Sequence, residues 1–370
     1  MRITSVSITY LIIVFIFLTL ASNAQIRIKA VGDIMLGSVT PRTILPKDEG
    51  IEFVSSISKY LTKADIVFGN LEGAIIKDGM LPVKCSEKSR NAGRCYEFGM
   101  PEVLSASLKG MGFNVLSMDN NHSEDYGADG YLFTQQKLNE LGIKFAPKTG
   151  FAEFLFEEKK IVVAVFGYSR TSHSISDLEN TKNVIAALDK HYDIIIVSFH
   201  GGAEGRDKVN IKNETEFFLG ENRGNVIAFA RTAIDAGADM VIGHGPHVLR
   251  AIEIYKNKLI AYSLGNFLTY GNMNIRGVTG ISVILDTDID FDTGDFLRGK
   301  LIPVQQTGYG LTQYDETGEG FKLVKSLTNE DFPENEIIFT KNGGIYNRQI
   351  ILPNERPREE YVPSFRFIGK

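Results

Sequence analysis

The chemistry-bearing residues of this 370-residue chain fall at the ends of apolar runs. Asp33 follows the run Ile26 to Val31, Asn70 and Glu72 follow Ile66 to Phe68, and Asn120, Asn121 and His122 follow Val115 to Met118. His200 ends the run that starts at Ile194, and His244 and His247 follow Met240 to Ile242. Five runs therefore end in carboxylate, amide or imidazole groups, and the set takes in four of the six histidines. Imidazole mixed with carboxylate and amide oxygen suits Zn, Mn or Fe better than Ca. Two such ions about 3.5–4 Å apart can activate a water and hold both oxygens of an in-line phosphoryl displacement. Glu72 is the candidate for a carboxylate that bridges the ions. His122, beside Asn121, is the candidate for a histidine that protonates the leaving oxygen.

Each residue taken alone also has an ordinary use. Asp33 can cap a turn after Gly32, Glu72 can pair with a surface lysine, Asn120 and Asn121 can form a turn, and a lone His200 can be structural. Gly243-His-Gly-Pro-His247 is harder to explain that way. Glycines on both sides of His244 and a proline before His247 make a tight, rigid turn that presents two imidazoles.

The elements that must position these groups alternate between strand and helix. Ile26 to Val31, Asp65 to Asn70, Asn114 to Met118, Ile161 to Gly167, Asp193 to Phe199 and Ala238 to Ile242 read as strands, most of them buried. Helical spacing appears over Ile51 to Leu61, Pro101 to Lys109, Gly130 to Leu141 and Asn225 to Ala236. Phe151 to Phe156 could pair with the strand at Ile161, and Leu249 to Tyr255 with Leu259 to Ser263 as a hairpin. Thr279 to about Tyr309 also reads as strands, and the last sixty or so residues are turn-rich and weakly patterned. This order argues for an α/β core, in which ligands gather beyond the carboxyl ends of the strands.

Composition narrows the class. Hydrophobic residues at 43% and charged residues at 23% are ordinary for a globular protein. A net charge of −5 with no basic block disfavours a nucleic-acid partner. At the start, Arg2 precedes an apolar run from Ile8 to Leu20, followed by Ser22-Asn23-Ala24. That run is shorter than the roughly 20 residues a spanning helix needs, so a secretory signal cleaved after Ala24 is expected, in preference to a retained anchor. The protein is thus expected in the periplasm or outside the cell, where Cys85 and Cys95 would pair as a disulfide.

The motif order resembles the CapA family of capsule and poly-γ-glutamate biosynthesis. The matching segments are Gly32-Asp-Ile-Met-Leu-Gly37, Gly69-Asn-Leu-Glu-Gly73, Met118-Asp-Asn-Asn-His122 with Asp125-Tyr-Gly127, His200-Gly-Gly-Ala-Glu204, Gly243-His-Gly-Pro-His247 and Tyr262-Ser-Leu-Gly-Asn-Phe267. That family is similar in turn to calcineurin-like metallophosphoesterases. The resemblance implies an α/β four-layer metallophosphoesterase-like sandwich, with two sheets flanked by helices. It implies metal ligands at Asp33, Glu72, Asn121, His200, His244 and His247 for one or two ions of Mn, Zn or Fe. His122 and Glu204 become the catalytic candidates, and Asn70, Asn120 and Asn266 the substrate-binding ones. The chain departs from the phosphoesterase pattern at Met35, where that pattern has histidine, at Glu72, where it has aspartate, and in the spacing of its final histidine pair.

The expected organisation is a signal peptide over 1–24, the catalytic-type domain over 25–310 and a C-terminal extension over 311–370. The expected function is a metal-dependent, phosphoesterase-like hydrolase in envelope-polymer synthesis, acting on an envelope polymer or a phosphorylated small molecule. The alternatives are a non-catalytic component of a polymer synthesis or export complex, with membrane synthase subunits as partners, and a secreted sugar- or peptide-binding protein.

Overall fold

The computed structural model describes residues 25–156 and 158–350. The expected signal segment and the last residues of the chain lie outside this range. Two sheets stack face to face. In spatial order the larger runs Ile337–Phe339, Gly344–Asn347, Phe296–Thr307, Ile281–Asp290, Gln25–Met35, Ile66–Leu71, Val115–Ser117 and Lys144–Ala146, with Asn266–Thr269 pairing Gln25–Met35 and Leu311–Tyr314 pairing Phe296–Thr307. The smaller runs Ile252–Tyr255, Lys258–Ala261, Met240–His244, Ile194–His200, Lys159–Gly167 and Phe151–Phe156.

Within each sheet the strands that carry the polar termini run parallel to one another. Gln25–Met35 pairs in parallel with Ile66–Leu71, which pairs in parallel with Val115–Ser117. Lys159–Gly167, Ile194–His200 and Met240–His244 do the same in the smaller sheet. Parallel strands buried on both faces need continuous apolar sequence, which is what Ile194-Ile-Ile-Val197 supplies.

Burial sorts these side chains into layers. Between the sheets, Ile26, Ile28, Ile66 and Phe68 of the larger one share a core with Val163, Ile194, Ile196 and Ile242 of the smaller. Outside the larger sheet, Val67 and Leu116 pack against Phe53, Ile57, Leu108 and Leu138 of helices Ile51–Leu61, Ala106–Met111 and Gly127–Glu140. Outside the smaller sheet, Val162, Ile195 and Val241 pack against helices Leu178–Leu188 and Val226–Asp235. The result is helix, sheet, sheet, helix, the four-layer α/β sandwich expected from sequence. Among the described residues no helix is long and apolar enough to cross a membrane.

Several expectations change in detail. The segment after Pro101 begins as a 3₁₀ turn, Glu102–Ser105, before its α-helix, which stops at Gly112 with φ 109°. Helix Leu178–Leu188 was not expected from sequence; its buried face is Thr181, Ile185 and Leu188. Residues 311–347 are more regular than their pattern suggested. Leu311–Tyr314 and Gly344–Asn347 both pair with Phe296–Thr307, and helix Glu319–Asp331 packs on the same sheet. Its Val324 joins the core between the sheets.

Candidate metal centre

The larger sheet supplies oxygen atoms. Strand pairing is irregular around Asp33, which lies beside Asn70 on one neighbouring strand and Asn266 on the other. Such an irregularity re-aims a side chain without disturbing the rest of the strand. The residue before it has to be glycine, since a Cβ on Gly32 would sit 1.8 Å from the Gly265 carbonyl oxygen. A chain of amides then braces the carboxylate. Asn70 Nδ2 donates to Asp33 Oδ1 at 2.9 Å, and Asn120 Nδ2 donates to Asn70 Oδ1 at 3.0 Å. Asn120 Oδ1 accepts the His122 backbone N–H at 3.0 Å. Glu72 is fully buried, and neither carboxylate oxygen makes a hydrogen bond; Asn121 Oδ1 is likewise buried and unbonded.

The smaller sheet supplies nitrogen atoms. Register places His244 directly beside His200, and both are buried with all ring nitrogens free of hydrogen bonds. The turn that follows is forced by Gly245 at φ 113°, where a Cβ would meet the Gly201 carbonyl oxygen at 2.9 Å. His247 itself adopts φ 58°, a left-handed conformation that non-glycine residues take at some cost. That backbone points its ring across to the other sheet. Its Nδ1 lies 3.0 Å from Asp33 Oδ2 and 3.0 Å from Asn266 Oδ1, and its Nε2 lies 3.6 Å from Glu72 Oε1. His244 Nδ1 is 3.4 Å from Asp33 Oδ1.

Charge is concentrated where water is excluded. Burial pushes Asp33 towards its neutral form, but the His244 and His247 rings pull harder and hold it well below the usual carboxylate range. Burial and the neighbouring Asp33 charge raise Glu72 far above that range. Burial also holds His200 well below an ordinary histidine. His247 goes the other way. Burial lowers it, yet Glu72 and Asp33 together lift it to about 10.

Asp33, Glu72 and His247 each offer a ligand atom within 4.8 Å of the others. The unbonded atoms of Glu72, His200, His244 and Asn121 would be costly to bury with no partner at all. This donor set, carboxylate and amide oxygen with imidazole nitrogen, fits a divalent cation. Met35 takes no part, being buried among the apolar side chains under the outer helices.

Around this cluster the remaining candidates take distinct places. His122 Nδ1 lies 2.7 Å from Asp125 Oδ2, an arrangement in which Asp125 fixes the ring and leaves Nε2 for proton transfer. Glu204 reaches the edge of the cluster, with Oε2 3.9 Å from His247 Nε2 and Oε1 accepting from Arg223 Nη1 at 2.7 Å. The three asparagines do not stand open to substrate. Asn70, Asn120 and Asn266 are buried, with side-chain bonds to Asp33, Leu71 and Thr279 respectively, so their amides position other site groups. Cys85 and Cys95 form a disulfide.

Sequence reading assigned no role to Asp125, Arg223 or Lys84. Asp125 had a signal, its spacing of three from His122 within one turn. Arg223 and Lys84 had none, because their partners are brought to them by long-range packing.

Similar proteins are found among capsule biosynthesis factors. A capsule biosynthesis protein CapA of Bacillus anthracis is 28% identical over 271 residues, covering 66% of this chain and 60% of that protein. A PGA biosynthesis protein CapA of Bacillus subtilis is 29% identical over 258 residues, covering 64% of this chain and 62% of its own length. The chain thus spans about three fifths of the curated relatives it matches. Among solved structures, a putative 5'-nucleotidase from Staphylococcus aureus aligns with 86% of this chain and 60% of its own, at 16% identity. Its TM-score of 0.44 marks a distant likeness. The model of the bacterial capsule synthesis protein PGA_cap matches residues 27–270, more than half of the sequence, and the chain belongs to that family.

Proposed function

We propose that the protein is a metal-dependent hydrolase of phosphoesterase type that serves the synthesis of a capsule or poly-γ-glutamate polymer. The observation that carries this reading is the meeting of two carboxylates and the imidazoles of His244 and His247 in a buried cluster whose ligand atoms have so few partners within the protein. Asp33, Glu72, Asn121, His200, His244 and His247 would hold the ion or ions. A divalent ion bound there supplies Lewis acidity toward a phosphoryl oxygen and acidifies water. His122, oriented by Asp125, passes a proton to the leaving oxygen. Burial lowers the ring below an ordinary histidine, and an incoming phosphate's negative charge opposes that shift. Glu204 orders water or substrate at the rim.

The relatives' names support an envelope polymer as the setting. Action after export is supported by the signal pattern at the start of the chain and by the Cys85–Cys95 disulfide, a bond that persists in oxidising compartments.

Metal analysis of the purified protein, with thermal titration by Mn and Zn, tests the site. Saturation at 100 times Kd should add about 2.7 kcal/mol of stability. Turnover is then assayed on phosphomonoesters, phosphodiesters and γ-glutamyl polymers. No metal uptake and no turnover would sink the proposal. Metal uptake without turnover would favour a non-catalytic component of the polymer machinery, a reading that the methionine at position 35 also suits.

A further inference from the structure

We infer that Lys84, carried on the disulfide-closed loop, is a positioning residue that locks the His122–Asp125 pair. The inference rests on the reading of His122 as the proton-transfer residue. Lys84 directly precedes Cys85, and its side chain reaches back to the segment that follows the strand Val115–Ser117. Its Nζ donates to the Asn121 carbonyl at 2.8 Å, lies 3.0 Å from Asp125 Oδ1 and 3.3 Å from His122 Nδ1. One ammonium therefore touches the backbone of a candidate ligand, the ring of the candidate acid and the carboxylate that orients that ring.

Asp125 explains why the contact matters. Its carboxylate is fully buried, and Oδ2 already accepts from Phe98 N at 2.7 Å and pairs with His122 Nδ1 at 2.7 Å. Oδ1 makes no hydrogen bond and has Lys84, at ion-pair distance, as its charge partner. Without that ammonium the buried Oδ1 has no partner at all, which the site relieves by moving Asp125. The Asp125 carboxylate cannot then hold the imidazole as it does now. An exposed surface pair would lack this leverage, since water would replace the lysine.

The loop that brings Lys84 is held on by few means. Val83 N donates to the Asp125 carbonyl at 2.9 Å, and Cys85 N donates to Glu97 Oε1 at 2.7 Å. Arg90 closes the same unit, with Nε to Glu97 Oε2 at 2.8 Å and Nη2 to the Cys85 carbonyl at 3.2 Å. The short helix within it, Glu87–Asn91, buries no residue. With so little core beneath it, the loop depends on the Cys85–Cys95 bond to limit its freedom. Reduction should loosen Lys84 together with the loop.

Side-chain ¹⁵N NMR of the histidines tests this in the full-length protein as purified, comparing wild type with Lys84→Met, Lys84→Arg and the double variant Cys85→Ala/Cys95→Ala. The wild type should show a slowly exchanging His122 Nδ1–H. Lys84→Met should lose that signal while circular dichroism shows the fold intact, Lys84→Arg should keep it, and the cysteine variant should weaken it. With bis-p-nitrophenyl phosphate and manganese, Lys84→Met should lower kcat about tenfold, a fraction of what a positioned acid contributes, with KM unchanged. A Lys84→Met ring that keeps the wild-type signal, or an arginine variant as perturbed as the methionine one, overturns the proposal. If wild type turns over no phosphoester, the hydrolase reading fails, while the His122 signal still decides the role of Lys84.

Discussion

The two sheets contribute to the centre in opposite ways. The larger sheet brings oxygen ligand candidates, Asp33, Glu72 and Asn121, and the smaller brings nitrogen ones, His200, His244 and His247. The oxygen side is partly braced from within, through Asn70 on Asp33, Asn120 on Asn70 and His122 N on Asn120. The paired strands of the nitrogen side hold two imidazoles with no hydrogen bond to any ring nitrogen. Of the oxygen ligands, Asp33 is set by hydrogen bonds within the protein, whereas His200 and His244 are set by backbone register and packing, with His244 Nδ1 approaching Asp33 Oδ1 only to 3.4 Å. A ring held only by packing keeps its nitrogens available. The difference points to an external partner for the imidazoles, and it says where the site will be most sensitive.

The hardest blow to the contrast should come from the nitrogen side. His244→Ala is expected to lower metal affinity by more than about 100-fold, beyond the loss typical of an outer supporting group. Calorimetry on a metal-free sample measures it, with circular dichroism to show that the fold persists. Equal affinity in the variant would mean that the oxygens suffice and the comparison is wrong.

Next comes the packing that makes the sheets meet. Ile196 is fully buried between them, and Ile196→Ala should cost about 2–5 kcal/mol in denaturant unfolding. Metal affinity should fall with it only if the facing sheets loosen. Stability lost with affinity retained would show that the ligands are held by their own loops.

A smaller effect is expected from the brace. Asn70→Ala removes the donor to Asp33 Oδ1 and the acceptor for Asn120, and should cost about 10–100-fold in metal affinity. Competition against a chelator would read it. A change no larger than that of a surface asparagine would deny the oxygen side its preorganisation.

The gentlest test is pH. In the metal-free site burial and the Asp33 charge raise Glu72 above the usual carboxylate range, and the carboxylates of Glu72 and Asp33 raise His247 to about 10, so the cluster holds the His247 proton near neutrality. A cation needs the carboxylate and the neutral imidazole, so loading must release protons and affinity must rise with pH. Each proton released changes affinity by about tenfold per pH unit. Titration calorimetry in buffers of different ionisation heat counts those protons. Affinity that is flat from pH 6 to 8 would show that loading releases no proton.

Much of the fold was legible because it rests on local pattern. Phe53, Ile57 and Leu61 repeat at helical spacing and form the buried face of one helix. Asn225 caps another by accepting from Ala228 N at 3.0 Å. Ile194 to Val197 is apolar on both faces because another layer covers each side. Helix Leu178–Leu188 and residues 311–347 were harder to read. The helix has polar Thr181 among its three buried residues, and strands Leu311–Tyr314 and Gly344–Asn347 find their place only by pairing with Phe296–Thr307.

The site divides along the same line. Residue type and position at strand ends single out Asp33, Glu72, Asn121, His122, His200, His244 and His247 as candidates. The same types mislead at Asn70, Asn120 and Asn266, because an amide looks alike in sequence whether it faces a substrate or a neighbour. Nothing local connects Lys84 with Asp125, or Arg223 with Glu204.

By itself, then, the sequence determined the buried central strands, which polar residues stand at their ends and which chemistry those residues could perform. Only the tertiary structure decided that Asp33 faces His244 and His247 across two sheets, because that contact comes from stacking apolar faces and from a left-handed turn at His247. Patterns of 2 and 3.6 residues report what lies on one element. Distances between elements come from the packing of the whole, which no single segment contains.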